Sequence, residues 1–258
     1  MLTAATQSNG QKVAAWEVER SEGPFLCFCC KQFVTLRRGE IKAPHFAHMP
    51  PVTCEYGSGE SEAHRQCKIA LYESLSSHPS VRKCEMERDL RTVRPDVSAY
   101  INDVPVAIEV QISNLSLTRI QYRTAEYARR GIYVLWLPLQ TSDFKRELYS
   151  PSPWERWLHA AYFGRVYYWL EGLRILPVHF RDYYARVRGR TRDYQKLSRK
   201  VVPIKGDVVT LIDCFRPFSR QVWSGGRISI PPAKLFVDSQ ADWYLGPSAR
   251  GAKTGHFL

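Results

Sequence analysis

Two apolar runs, residues 96–101 and residues 104–112, are separated only by Asn102-Asp103. A two-residue link of that composition suits a tight β-hairpin, and it restrains what this part of the chain can become. In a strand, successive side chains point to opposite faces. Glu109 and Gln111 therefore share one side, and Ile108 and Val110 share the other. A tight hairpin sets Asp96 on the strand beside them. Two carboxylates close together in a largely apolar sheet repel each other and lose hydration, so something must compensate. A divalent cation does so, and oxygen ligands suit Mg²⁺ or Mn²⁺. The competing reading puts both acids on an exposed sheet face with no function. The apolar character of the strand and a matching helix upstream weigh against it.

That helix is expected over residues 60–77, where Cys67, Ala70, Leu71 and Leu75 form an apolar stripe at helical spacing. Projection at 100° per residue places Glu60 and His64 on or beside the stripe, facing the sheet. Lys68 falls at its border and Glu62 nearly opposite. Glu60 also fits simple charge complementarity at a helix N-terminus, and His64 alone fits a satisfied core histidine. Taken with the strands, both read as site residues. A first strand is expected over residues 81–90. After the hairpin, a helix opens at Asn114 and is capped by Gly131. The run at residues 132–137 is a buried strand stopped by Pro138. The order is α-β-β-β-α-β. On the second helix Arg119, Arg123 and Tyr127 recur at four-residue intervals, either lining a phosphate path or forming a solvated face.

Ahead of this region, Cys27, Cys29, Cys30 and Cys54 crowd into 28 residues beside His45 and His48. Cys27 and Cys30 make a CxxC pair. With His48 and Cys54 they form the two-plus-two set expected of structural Zn²⁺, which neutralises thiolates and staples a segment too short for its own core. His45 is the substitute ligand and Cys29 the spare. A chance cluster of buried thiols is the alternative. Cys67, Cys84 and Cys214 read as core residues. No stretch is long and apolar enough to cross a bilayer, and residues 1–10 lack a signal pattern. Membrane insertion is therefore not expected, and metal-type cysteine spacing fits a reducing, cytoplasmic setting.

Pro151-Ser152-Pro153 marks a boundary. Beyond it a helix is expected over residues 154–170, a basic helix near residues 183–200, and short strands over residues 201–237. Residues 151–258 contain 18 Lys/Arg against 8 Asp/Glu and so carry +10 of the net +12. Residues 181–200 alone hold eight basic and two acidic residues. Such a segment suits a polyanion, nucleic acid foremost, although it also suits a merely solvated surface. Arg186, Arg188, Arg190 and Arg192 are the expected phosphate contacts, with Tyr183, Tyr184 and Tyr194 placed to stack on unpaired bases. Three regions follow: residues 1–57 with the zinc module, 58–140 with the carboxylates, and 141–258, basic and aromatic.

The segments CFCC, RRGEIKAPHFAH, GESEAHRQCKIALYESL, RPDV, AIEVQIS and RTAEYARRGIYVLWL resemble the PD-(D/E)XK nuclease superfamily, and more closely the CoiA-like competence proteins. The resemblance covers roughly residues 2–139. It implies an α/β (α+β) chain with a restriction-endonuclease-like core, an N-terminal zinc finger and a basic C-terminal region. It also implies a metal-dependent nuclease acting on DNA, with a link to uptake or recombination of single strands and to the proteins of those processes. Glu60, His64, Asp96, Glu109 and Gln111 are the matching site positions. Gln111 stands where many members of the superfamily have lysine. An amide can orient water or contact phosphate but brings no charge; Lys68, Arg119 or Arg123 could bring it instead. A non-catalytic DNA-binding protein that keeps the fold is the second reading. A zinc hydrolase using the Cys/His cluster is disfavoured, because that cluster can fill its own coordination sphere.

Overall fold

The hairpin at Asn102-Asp103 forms. In the computed structural model both link residues have positive φ, 47° and 66°, as the turn that matches strand twist requires. Ile101 pairs with Val104, and the register runs on to Val97 opposite Ile108. The structure describes residues 1–54, 60–111, 115–139, 147–186, 194–225 and 228–239, and side chains are described in all of these except 183–186 and 194–199. The chain divides into two compact units, Met1–Ile112 and Ser113–Leu258.

The first unit opens with a five-stranded antiparallel sheet of β1 (Thr3–Thr6), β2 (Lys12–Ala14), β3 (Phe25–Leu26), β4 (Phe33–Arg37) and β5 (His45–His48), in the order β2-β1-β3-β4-β5. The alternating sequence QKVAAWEVER, residues 11–20, reads as a strand, but only Lys12–Ala14 form one, as β2. Val34 and Leu36 of β4 turn inward and their neighbours outward, the alternation of a half-buried strand. These join Phe25, Phe46, Cys27 and Cys54 in one small core.

Helix α1 (Glu62–Ser76) follows, starting two residues later than expected, because the Ser61 side chain caps it by accepting from the His64 amide. Glu60 thus lies before the cap. The stripe is confirmed at Cys67, Leu71 and Leu75, each fully buried. Helix α1 packs on the antiparallel strands β6 (Val81–Met86), β7 (Val97–Ile101) and β8 (Val104–Gln111).

The second unit begins with α2 (Leu117–Arg129), capped by the Ser116 hydroxyl and followed by Gly131 at φ 73°. Strand β9 (Tyr133–Pro138) comes next, so the expected order of helix, three strands, helix and strand is present along the chain. Ser152 and Glu155 form a capping box for α3 (Pro153–Ala161). That helix ends well short of residue 170: Phe163 and Gly164 take left-handed φ values of 56° and 88°, and the aromatic run that follows is β10 (Val166–Glu171).

The basic helix expected near residues 183–200 is not one. Its described parts belong to two long antiparallel strands, β11 (Arg174–Arg186) and β12 (Tyr194–Lys205). The described stretches of these strands carry Ile175, Val178, Val201, Val202 and Ile204, β-branched residues that suit a strand. The rest of the unit holds β13 (Val209–Thr210), α4 (Leu211–Cys214), β14 (Phe215–Arg220), β15 (Trp223–Gly225), β16 (Ile228–Ile230) and β17 (Ala233–Asp238). Strand β17 runs parallel to β9 and antiparallel to β14.

Candidate active site and metal centre

The carboxylate site lies in the first unit. Strand β7 begins one residue after Asp96, and continuing the register beyond Val97–Ile108 sets Asp96 opposite Glu109. Asp96 Oδ2 accepts a hydrogen bond from the Val110 amide at 2.9 Å. His64, in the first turn of α1, brings Nε2 to 3.2 Å from the same oxygen and Nδ1 to 3.6 Å from Glu60 Oε1. Glu109 is buried on β8 at 4% exposure, and Gln111 is half-buried on the same face. Helix, loop and hairpin therefore bring Glu60, His64, Asp96 and Lys68 into contact.

Lys68 occupies the centre. Its ammonium lies 2.8 Å from Glu60, 2.6 Å from Glu87 and 3.4 Å from Asp96. The side chain is almost wholly buried. Burial alone would lower its pKa, but the surrounding carboxylates reverse that and raise it, so it remains a cation. Lys68 is thus no surface DNA contact; it neutralises the acids from beneath. Burial pushes the Glu60 carboxyl up, and Lys68 with the Met1 amino group, 2.8 Å away, pulls it below the usual range. For His64, burial is the largest influence and opposes protonation, but the charge and hydrogen bond of Asp96 together with the Glu60 charge outweigh it, so its pKa is raised.

Sequence reasoning passed over Glu87 and Arg94. Glu87 falls within the strand expected over residues 81–90, where it drew no role, and it is buried. It accepts from the Leu2 amide at 2.9 Å, the Thr3 amide at 3.0 Å and the Thr3 hydroxyl at 2.8 Å. Arg94 donates to it at 2.6 Å. A signal was available in hindsight: lysine and histidine placed on a core-facing helix require more counter-charge than Asp96 and Glu109 alone supply. Burial tends to raise the Glu87 pKa, and Lys68 and Arg94 instead hold it well below the ordinary value of 4.5. Glu87→Gln, which strips Lys68 and Arg94 of a buried partner, is expected to cost about 3–5 kcal/mol at neutral pH. Because the folded pKa is depressed, this stabilisation is complete above the unfolded value and is lost as pH falls through the folded one. Urea unfolding across acid pH should show that part of the acid limb missing in the variant; superimposable limbs would refute the assignment.

The candidate metal centre is in the N-terminal sheet region. The Cys27, Cys30, His48 and Cys54 ligand atoms all lie within 4.8 Å of one another, and no other such group of three or more occurs among the described residues. The Cys27–Cys30 turn follows β3, and the Lys31 amide closes it on the Cys27 carbonyl at 3.0 Å. His48 ends β5. The Cys27 and Cys54 sulfurs are 3.9 Å apart, and Cys30 Sγ is 3.2 Å from His48 Nε2. Four ligands at tetrahedral zinc bond lengths stand roughly 3.5–3.8 Å apart, so the set fits a closed structural zinc site. His48 Nδ1 is buried without a hydrogen-bond partner, and burial first, then the Met1 amino charge, lowers the ring pKa and keeps it neutral, as a ligand must be. His45 is not needed: its Nδ1 lies 2.9 Å from the Ala43 carbonyl. Cys29 is exposed, and burial of its thiol with the nearby Cys54 pushes its pKa up to about 11.

The other expected nucleic-acid contacts fare unevenly. Arg119 is exposed on α2, and Arg123 lies 6.0 Å from the Trp136 ring centre. Tyr127 is fully buried and accepts from Arg123 at 3.4 Å, so it is a core residue and not part of a phosphate path. Arg186 ends β11, while Arg188, Arg190 and Arg192 lie outside the described residues. Cys67 is a core residue as expected, whereas Cys84 and Cys214 are half-buried. Among the described residues no helix is long and apolar enough to cross a membrane.

Comparison with known proteins adds an independent finding. A family model described as the nuclease-like domain of competence protein CoiA matches residues 60–159. A second, described as the N-terminal domain of competence protein CoiA, matches residues 7–57. The competence protein CoiA of Bacillus subtilis (strain 168) is 32% identical over 116 residues. That match covers 44% of this chain and 31% of the relative, so the chain spans about a third of that protein's length. No solved structure matches the chain.

Proposed function

This chain belongs to the CoiA-like family, and from that premise we propose that it is a metal-dependent deoxyribonuclease of the PD-(D/E)XK kind with a restriction-endonuclease-like core. Its substrate is DNA, single-stranded by preference, in uptake, recombination or repair. The observation that carries the reading is the convergence of Glu60, His64 and Asp96, with Glu109 opposite Asp96, on one buried charged cluster. Asp96 and Glu109 are the residues to hold Mg²⁺ or Mn²⁺. Such an ion would polarise the scissile phosphate and lower the pKa of the attacking water. His64, between Glu60 and Asp96, is placed to hold or pass a proton at Nε2, and Gln111 to orient water or phosphate. Lys68 keeps the acids ionised and fixes their positions.

One observation favours a second reading, a DNA-binding protein without catalysis. Gln111 provides no charge for the developing phosphate, and the Lys68 ammonium already satisfies three carboxylates. Incubation of end-labelled single- and double-stranded DNA with the pure protein separates the two. Cleavage in Mn²⁺ or Mg²⁺, abolished by chelator, is expected. Binding with no cleavage in either ion would leave the second reading standing and remove the first.

A further inference from the structure

The second unit carries an aromatic surface that the carboxylate cluster does not use. Phe163 follows the last turn of α3 at φ 56°, a left-handed conformation that bulky residues adopt only at an energetic cost. Burial does not offset that cost, since the ring is 41% exposed. A strained residue displayed to solvent points to a use outside the core. Trp223 on β15 is equally exposed.

Between the two rings stands Arg220, the last residue of β14. Its guanidinium carbon is 4.4 Å from the Phe163 ring centre and 5.4 Å from that of Trp223. The Ala160 and Ala161 carbonyls accept from its Nη1 at 2.8 and 2.6 Å and hold it there. Phe218 meets Phe163 edge-on, with centroids 5.0 Å apart. The Trp223 ring rests directly on Gly225, where a Cβ would come within 2.5 Å of it. Two exposed rings and an intervening cation are therefore fixed before any partner arrives, which lowers the ordering cost of binding.

Charge identifies the partner. Residues 214–237 contain Arg216, Arg220, Arg227 and Lys234 and no Asp or Glu. Exposed rings on a segment whose sequence carries cations and no carboxylate suit a ligand that offers both flat rings and negative charge. Single-stranded nucleic acid does so, whereas a duplex hides its base faces. We propose that Phe163, Arg220 and Trp223 form a stacking platform for the unpaired bases of single-stranded nucleic acid. The platform takes its ligand class from the nucleic-acid reading above, but it needs neither a metal nor the carboxylates.

The test is fluorescence anisotropy of a short labelled oligothymidylate with the full chain in EDTA, where no cleavage can occur. Trp223→Ala and Phe163→Ala are each expected to weaken binding roughly 5- to 100-fold. The salt slope should not move, because no phosphate contact is lost. Trp223→Tyr should keep most of the affinity, and binding to duplex should not change. Ultraviolet cross-linking of the oligonucleotide to the unaltered protein should map to peptides containing Phe163 or Trp223, a readout independent of how any variant folds. Parent-like affinity in both alanine variants, equal weakening on duplex, or cross-links confined to other peptides would overturn the platform. Platform-dependent binding without cleavage in any metal would sink the nuclease reading alone; cleavage with indifferent Phe163 and Trp223 variants would sink the platform alone.

Discussion

Asp96→Ala is expected to reduce Mn²⁺-dependent DNA cleavage by at least on the order of 10²-fold, while DNA affinity stays close to that of the parent. The expectation follows from how many roles one carboxylate fills. Asp96 accepts from the Val110 amide, faces His64 Nε2 at 3.2 Å, forms an ion pair with Lys68 at 3.4 Å, and stands opposite Glu109. Its removal would take away a proposed metal ligand together with one of the two carboxylates that face the His64 ring. Glu109→Ala should cause a loss of similar size, and a double variant little more, because groups acting as one unit are not additive. Gln111→Lys is expected to retain or raise cleavage by restoring the charge that the superfamily usually has there. Full-rate cleavage in both alanine variants would place the chemistry elsewhere. Equal loss with Gln111→Lys and Gln111→Ala would mean that the amide acts through its geometry.

The second large effect is expected at the metal centre. Freshly purified protein should contain one tightly held Zn²⁺ per chain, and Cys27→Ser combined with Cys30→Ser should release it. In small zinc-stapled modules the metal contributes roughly 10–16 kcal/mol of binding free energy, which is also folding free energy. The core around Cys27 and Cys54 has only a few large apolar side chains besides them, among them Phe25, Leu36 and Phe46. Loss of the ion should therefore open this sheet to proteolysis and hydrogen exchange. The damage should also reach the carboxylates, because the Leu2 and Thr3 amides that hold Glu87 belong to the same N-terminal segment. Elemental analysis of unchelated protein showing no zinc would refute the site. Zinc loss with an unchanged exchange pattern would show that the ion binds without supporting the fold.

The features legible in the sequence share one property: their causes are close together along the chain. Asn102-Asp103 between two apolar runs set the hairpin, and the hairpin register set Asp96 against Glu109. Pro151-Ser152-Pro153 marked the boundary at which α3 starts. The spacing of Cys27, Cys30, His48 and Cys54 reflects chemistry that tolerates few other ligands, so their meeting was anticipated although they span 28 residues. Where local cues conflicted, they misled. Dense arginine suggested a basic helix, whereas the described residues of that segment belong to β11 and β12.

Only the tertiary structure decided what surrounds a charge. Glu87 and Arg94 carry no reading in the sequence, and Lys68 reads as a border residue able to bring charge to a phosphate. Folding buries all three and pairs them with one another and with Glu60 and Asp96. Tyr127 reads as part of a polar helix face, yet it packs into the core. Burial depends on which distant segment covers a residue, and the strand covering Glu87 begins 84 residues earlier at Thr3. Periodicity and turn chemistry act within a few residues and can be read from the sequence directly. Desolvation and counter-charge are set by contacts between remote segments, and these exist only once the chain has closed on itself.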